Sequence, residues 1–276
     1  MSSVRVNHMW MNVLVEGEGP PVLLVHGFPD THAVWRRQMS ALVEAGYRVI
    51  APDTRGCGSS EMSLDLADYR VANLVADLIA LLDHLGIAKV RLVAHDWGAV
   101  IAWQLVLDHP ERVEHFIPMS VGHPNAYAHD GLWQKLKGYY VYLMQLRGLA
   151  EALCRVGDWL LFRLMTRYPE EFPLWREQLR RPGRLTAGMN YYRANFAQLL
   201  FADDQRRTAV PVSALWSSGD LFLTERQMTS SQAYVDGPWR YTRIDGANHW
   251  MQLNAAERVT EVLLAYLKAP GDVPVP

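Results

Sequence analysis

Val90-Arg91-Leu92-Val93-Ala94-His95-Asp96-Trp97-Gly98-Ala99 passes from an apolar, β-branched run into a helix-like one with no linker between them. Val90 to Ala94 reads as a buried strand and Gly98 to Leu107 as a helix, which leaves Asp96 on the turn that joins them. A side chain held on so sharp a turn needs small residues two before it and two and three after it, because the backbone there is strained and close-packed. Ala94, Gly98 and Ala99 meet that need. The pattern is that of a nucleophile elbow with Asp where Ser usually stands. Asp at a helix start can also serve only as a cap, so the motif by itself leaves a structural role open.

The same alternation extends in both directions. Pro21-Val-Leu-Leu-Val-His26 and Arg48-Val-Ile-Ala51 read as buried strands, with helices over Thr31 to Ala45 and Val71 to Leu85. After a gap the pattern resumes with strands Val210 to Trp216 and Arg240 to Ile244 around a helix near Thr224 to Tyr234. Such alternation predicts an α/β fold: a mostly parallel central sheet flanked by helices, with ligands at the carboxyl ends of the strands. From about Ala126 to Arg207 the chain is rich in Trp, Tyr, Leu, Met and Arg at helical spacing, broken at Pro169, Pro173 and Pro182. It is expected to form an inserted helical cap over 126–207, between core segments 1–125 and 208–276.

A chain of 276 residues, half of them hydrophobic, can bury one sizeable core. A net charge of −2 and a pI near 6.5 supply no overall basic field for nucleic acid or a membrane surface, so a neutral small molecule is the expected partner. Cys57 and Cys154, the only cysteines, read as structural thiols of a reducing compartment. Met1 to Gly19 does not read as a secretory signal, and a cytoplasmic location is expected. The most apolar long stretch, Tyr139 to Met165, carries Arg147, Glu151, Arg155, Asp158 and Arg163, too many charges for a membrane span.

The identity of the elbow residue restricts the chemistry. A carboxylate attacking an acyl carbon would give a high-energy anhydride. At a saturated carbon it displaces an alkoxide or halide and leaves an ordinary alkyl ester. Asp96 therefore points to epoxide or haloalkane substrates rather than esters. Hydrolysis of that ester needs a general base late in the chain, and His249, in Asp245-Gly-Ala-Asn-His249-Trp250 after the last strand, has the right place. Its orienting acid should follow the preceding strand, where Ser217-Ser218-Gly219-Asp220 offers Asp220. The oxyanion hole calls for two backbone N–H groups: that of Trp97, next after Asp96, and that of Phe28 in His26-Gly27-Phe28-Pro29. His26 itself reads as a buried turn histidine.

These motifs, with Asp53-Thr54-Arg55-Gly56-Cys57-Gly58-Ser59-Ser60, resemble those of the α/β-hydrolase-fold epoxide hydrolases, relatives of the haloalkane dehalogenases. The resemblance spans most of the chain. It implies hydrolysis of an epoxide to a vicinal diol without cofactor or metal, by a monomer or homodimer, and two cap tyrosines that donate to the epoxide oxygen. One belongs to an Asn-Trp-Tyr-Arg segment, matched here by Asn190-Tyr191-Tyr192-Arg193, which places the donor at Tyr192; Tyr191 stands where that family has Trp, which makes it an alternative donor, though it is expected to pack as Trp would. The other lies among Tyr139, Tyr140 and Tyr142, with Tyr140 favoured by the alignment of Gln145 and Gly148. The substrate pocket is then expected from Phe28, Pro29, Trp97, Tyr140, Met189, Tyr192 and Trp250. A haloalkane dehalogenase would often carry Asn at position 28, and a fluoroacetate-type enzyme Arg at position 97; neither is present. Besides dehalogenation, the remaining alternative is a non-catalytic relative that only binds a ligand, against which the complete set Asp96, Asp220 and His249 weighs.

Overall fold

The computed structural model describes residues 2–268. Strands β1 (Ser2–Val6), β2 (Met9–Glu16), β3 (Pro21–Val25), β4 (Arg48–Pro52), β5 (Val90–His95), β6 (Val113–Met119), β7 (Val212–Gly219) and β8 (Trp239–Asn248) form one sheet in the order β1-β2-β4-β3-β5-β6-β7-β8. From β4 to β8 every neighbouring pair is parallel, whereas β1, β2 and β4 are joined antiparallel. The central strands β3 and β5 are covered on both sides, which is why they read as continuous apolar runs rather than alternating ones.

The amino-terminal hairpin is a finding the sequence analysis did not anticipate. Its turn is made by Asn7 and His8, both at positive φ, and Met9, Met11 and Val13 alternate inward along β2. The expected helix over Thr31 to Ala45 is instead a short 3₁₀ turn, His32–Trp35, leading into Arg36–Glu44. The Thr31 hydroxyl caps the turn by accepting from the Ala33 N–H at 3.2 Å.

Between β6 and β7 the chain is helical, from Pro124–Ala128 through Phe196–Phe201. The helix Leu149–Thr166 is broken at 156–159, where Gly157, Asp158 and Trp159 have positive φ. This cap rests on the loop that carries Asp53 to Ser60. Arg181 donates to the Gly58 carbonyl at 2.8 Å, Arg184 to the Ser60 carbonyl at 2.6 Å and the Tyr191 hydroxyl to the Arg55 carbonyl at 2.6 Å. Asp53 holds the loop in shape by accepting from the Ser59 N–H, and a β-carbon on Gly58 would fall 2.0 Å from its carboxylate. Glycine is required there by space as well as by its φ of +51°.

Candidate active site

The chain reverses between β5 and the helix Trp97–Asp108 at Asp96, whose φ of 53° and ψ of −122° are rare for a residue with a side chain. The turn is tight enough that a β-carbon on Gly98 would meet the Val25 carbonyl oxygen at 2.2 Å, and one on Gly27 the Asp96 carboxylate at 2.3 Å. Small residues at both places let the elbow nest against the end of β3. The result aims the carboxylate at the Phe28 N–H, which donates to Oδ1 at 2.8 Å. No side-chain cap bond is made to the helix. Oδ2 faces His249, with Nε2 3.6 Å away.

His249 follows β8 and is buried. Its Nδ1 lies 2.8 Å from Asp220 Oδ2, while Asp220 Oδ1 accepts the N–H groups of Phe222 and Leu223 at 2.8 and 2.9 Å. Burial favours a neutral carboxyl, yet the adjoining His249 and these two amides hold Asp220 below the usual carboxylate range. Burial likewise opposes charge on His249, but the Asp220 and Asp96 carboxylates outweigh it and push the imidazole up to about 10. The loop is fixed from below by His95, kept neutral by burial, whose Nε2 sits 2.9 Å from the His249 carbonyl and whose Nδ1 sits 3.1 Å from Gln252 Nε2. His26 is a turn histidine: Nε2 accepts the Thr54 N–H at 3.0 Å and Nδ1 donates to the Gly27 carbonyl at 2.8 Å.

Two cavities, of about 560 and 410 Å³, meet at Asp96, Tyr140 and Tyr192, which line both. The larger runs past Trp97, Val121, Tyr127 and Leu199; the smaller past Phe28, Pro29, Phe162, His249 and Trp250. Of the three early cap tyrosines only Tyr140 points inward, at 7% exposure against 53% for Tyr139 and 46% for Tyr142. Burial, reinforced by neighbouring tyrosines and Asp96, holds the Tyr140 hydroxyl well above its ordinary pKa; burial and Asp96 do the same for Tyr192, so both remain O–H donors. A buried ion pair fixes the two against each other. Arg193, beside Tyr192, forks onto Glu151 at 2.7 and 3.0 Å and reaches the Met144 carbonyl, one helical turn beyond Tyr140, at 2.7 Å. Tyr191 packs on Trp97 with its hydroxyl tied to Arg55 and Thr54, which removes it as a donor to the cavity.

One expected lining residue is not there. Met189 is fully buried and borders neither cavity; its sulfur lies 3.7 Å from Arg193 Nη2. On the helix Arg184–Ala194, the residue one turn before Tyr192 is Gly188, and it faces Phe28, where a β-carbon would meet the ring at 2.3 Å. Tyr127, which the sequence analysis passed over, lines the larger cavity instead.

Asp30 closes the motif His26-Gly27-Phe28-Pro29-Asp30 that carries the resemblance, but the sequence analysis assigned it no role of its own. It is buried, accepts the indole N–H of cap residue Trp175 at 2.8 Å and that of Trp250 at 3.0 Å, and so braces a wall of the smaller cavity. Burial outweighs both indole bonds and raises its carboxyl to about 7. A raised acid contributes stability that is fully present below the unfolded value near 4 and is lost as pH climbs through the folded one. Relative to Asp30→Asn, the parent should therefore lose up to about 1.4 kcal/mol of stability per pH unit between about pH 4 and 7, then level off. Urea unfolding of both proteins from pH 5 to 8 checks this; parallel curves would refute it.

Among known proteins, the fold sets the class first. A model of the α/β hydrolase fold matches residues 20–256, and the chain belongs to that family. It is 31% identical to the AB hydrolase superfamily protein YfhM of Bacillus subtilis, over 96% of each chain. It is 33% identical to epoxide hydrolase 3 of Xenopus tropicalis, over 90% of its own length and 71% of that protein's. A crystal structure of an epoxide hydrolase from Vigna radiata matches with a TM-score of 0.83 at 31% identity, covering 97% of both chains. Within the α/β hydrolases, the chain is a member of the epoxide hydrolase family.

Proposed function

We propose that this protein hydrolyses an epoxide to a vicinal diol through a covalent ester on Asp96. The observation that carries the reading is the meeting of a carboxylate and two buried phenols at the junction of two apolar cavities. Tyr140 and Tyr192 hydrogen-bond the epoxide oxygen while Asp96 Oδ2 attacks a ring carbon from the opposite side. Oδ2 is the free oxygen, since Oδ1 is already held by the Phe28 N–H. One carbon–oxygen bond forms, one breaks, and a tyrosine proton passes to the nascent alkoxide.

The second step uses the charge that the first removes. Esterification deletes one of the two carboxylates that raise His249, so the imidazolium becomes acidic enough to return a proton to the tyrosinate and stand as a neutral base. It then takes a proton from water as that water attacks the ester carbonyl. The negative charge develops on Oδ1, where the N–H groups of Phe28 and Trp97 form the oxyanion hole. Collapse releases the diol and restores the Asp96 carboxylate, with the proton left on His249.

Single turnover in ¹⁸O-labelled water should place label first in the Asp96 carboxylate and only on later turnovers in diol. Label appearing directly in the first diol would exclude the ester. Styrene oxide and a bromoalkane, assayed for diol and bromide, test the substrate class; bromide without diol would assign dehalogenation. Tyr140→Phe and Tyr192→Phe are each expected to lower kcat/KM for the epoxide by about 10- to 1,000-fold, the worth of one charge-assisted donor at a leaving oxygen. The double variant should approach loss of activity while its near-UV circular dichroism stays that of the parent.

A further inference from the structure

Two stretches of the cap, 132–139 and 149–164, expose large apolar side chains. Trp133 is 76% exposed and Leu132 71%, both on the helix Leu132–Lys137, and Tyr139 on the next helix is also exposed. In the broken helix Leu149–Thr166, Leu149 and Leu153 before the break and Leu160 and Leu164 after it all face out. The inward residues of that helix are apolar as well: Ala150 and Cys154, then Phe162 and Met165. A cap helix with water outside should be polar on that side, yet this one exposes four leucines there among its charges.

The charges along these stretches are mostly basic. Over 132–168 the sequence has six basic residues and two acidic ones, within a chain whose total is −2. Glu151, one of the two acids, is buried against Arg193, and Asp158 is paired with Arg176. Lys135, Arg147, Arg155, Arg163 and Arg167 are exposed. A second copy of the chain fits this pattern poorly, because a two-fold interface would set one net-basic surface against another. Exposed Leu, Trp and Tyr bordered by Lys and Arg are complementary to a surface that is apolar beneath and anionic on top.

We propose that the cap docks through these exposed residues onto an anionic lipid bilayer surface. No helix of the described residues is long and apolar enough to cross a membrane, so the contact is with the surface alone. Phe162, Met165 and Thr166, from the inward side of the docked helix, line the smaller cavity beside Asp96. Docking therefore sets that cavity one helix away from the bilayer, the phase in which an apolar substrate concentrates.

The test is flotation of the full chain with vesicles of phosphatidylcholine alone and of phosphatidylcholine with phosphatidylglycerol. Binding is expected only to the mixed vesicles and should weaken with added salt. Arg147→Gln and Arg155→Gln should each lower partitioning about fivefold, the equivalent of about 1 kcal/mol per basic residue near such a surface. The combined change of Trp133, Leu160 and Leu164 to Ser should abolish it. Turnover of a water-soluble epoxide without vesicles should be unchanged in these variants, which guards against misfolding. No flotation of the parent, or flotation of the triple Ser variant equal to the parent's, would overturn the proposal. Sedimentation showing a dimer that the Ser changes dissolve would also overturn it, by assigning these residues to a second copy.

Discussion

Replacing Asp96 by Ala is expected to lower kcat/KM for an epoxide by at least about 10⁴-fold, the scale seen when a catalytic nucleophile is removed. Nothing else at the junction of the two cavities can take its part. The tyrosines are held as neutral donors, and His249, which lines only the smaller cavity, is committed through Nδ1 to Asp220. Stability should respond differently from activity. At φ 53° a residue with a β-carbon is strained by about 1–3 kcal/mol, and Asp and Ala share that strain while Gly escapes it. Asp96→Gly and Asp96→Ala both lose the carboxylate, so its bonds to Phe28 and His249 cancel in the comparison. The Gly variant should melt a few degrees above the Ala variant, with both inactive. Equal melting temperatures would mean that the elbow stores no strain.

Those two readouts come from residues whose placement is local in the chain, and that locality is why they were legible in the sequence. The elbow needs only a strand, a turn and small neighbours within a few positions, all contained in Val90 to Ala99. His249 and Asp220 sit immediately after strands, so finding the strands finds them; the structure brings both to Asp96 through bonds that cross 29 residues and an approach of 3.6 Å. Asp30 is the opposite case. Its partners Trp175 and Trp250 are 145 and 220 positions away, and nothing in the run Gly27 to Thr31 marks it as more than a turn carboxylate. Met189 shows a finer limit. Helical spacing puts residues three and four before Tyr192 near one face, but neither borders a cavity: Met189 is buried against Arg193, and the Phe28 ring fills the space over Gly188. The amino-terminal hairpin was missed because its inward residues, two methionines and a few valines, give only a weak period-two signal.

Changing His249 to Gln should separate the two chemical steps. Steady-state turnover is expected to fall by about 10³- to 10⁴-fold, because water loses its base. Ring opening should persist, since Asp96 Oδ2 and the two phenols are untouched, and it should stop after one equivalent with the substrate's mass added to the protein at Asp96. Rapid mixing followed by intact-protein and peptide mass measurement reads this directly; a variant that is inactive without an adduct would place His249 in the first step and break the mechanism. The parent should show the complementary pH behaviour. With Asp96 ionised, two carboxylates push His249 up to about 10 and it is an imidazolium in the resting site. In the ester only Asp220 remains, so the imidazole titrates lower, and the neutral base population rises with pH through that lowered value. Decay of the trapped ester should therefore accelerate with pH and reach its plateau well below pH 10. A decay rate that keeps rising to pH 10 would mean that esterification does not release His249, and the Asp96 charge could not be the switch between the steps.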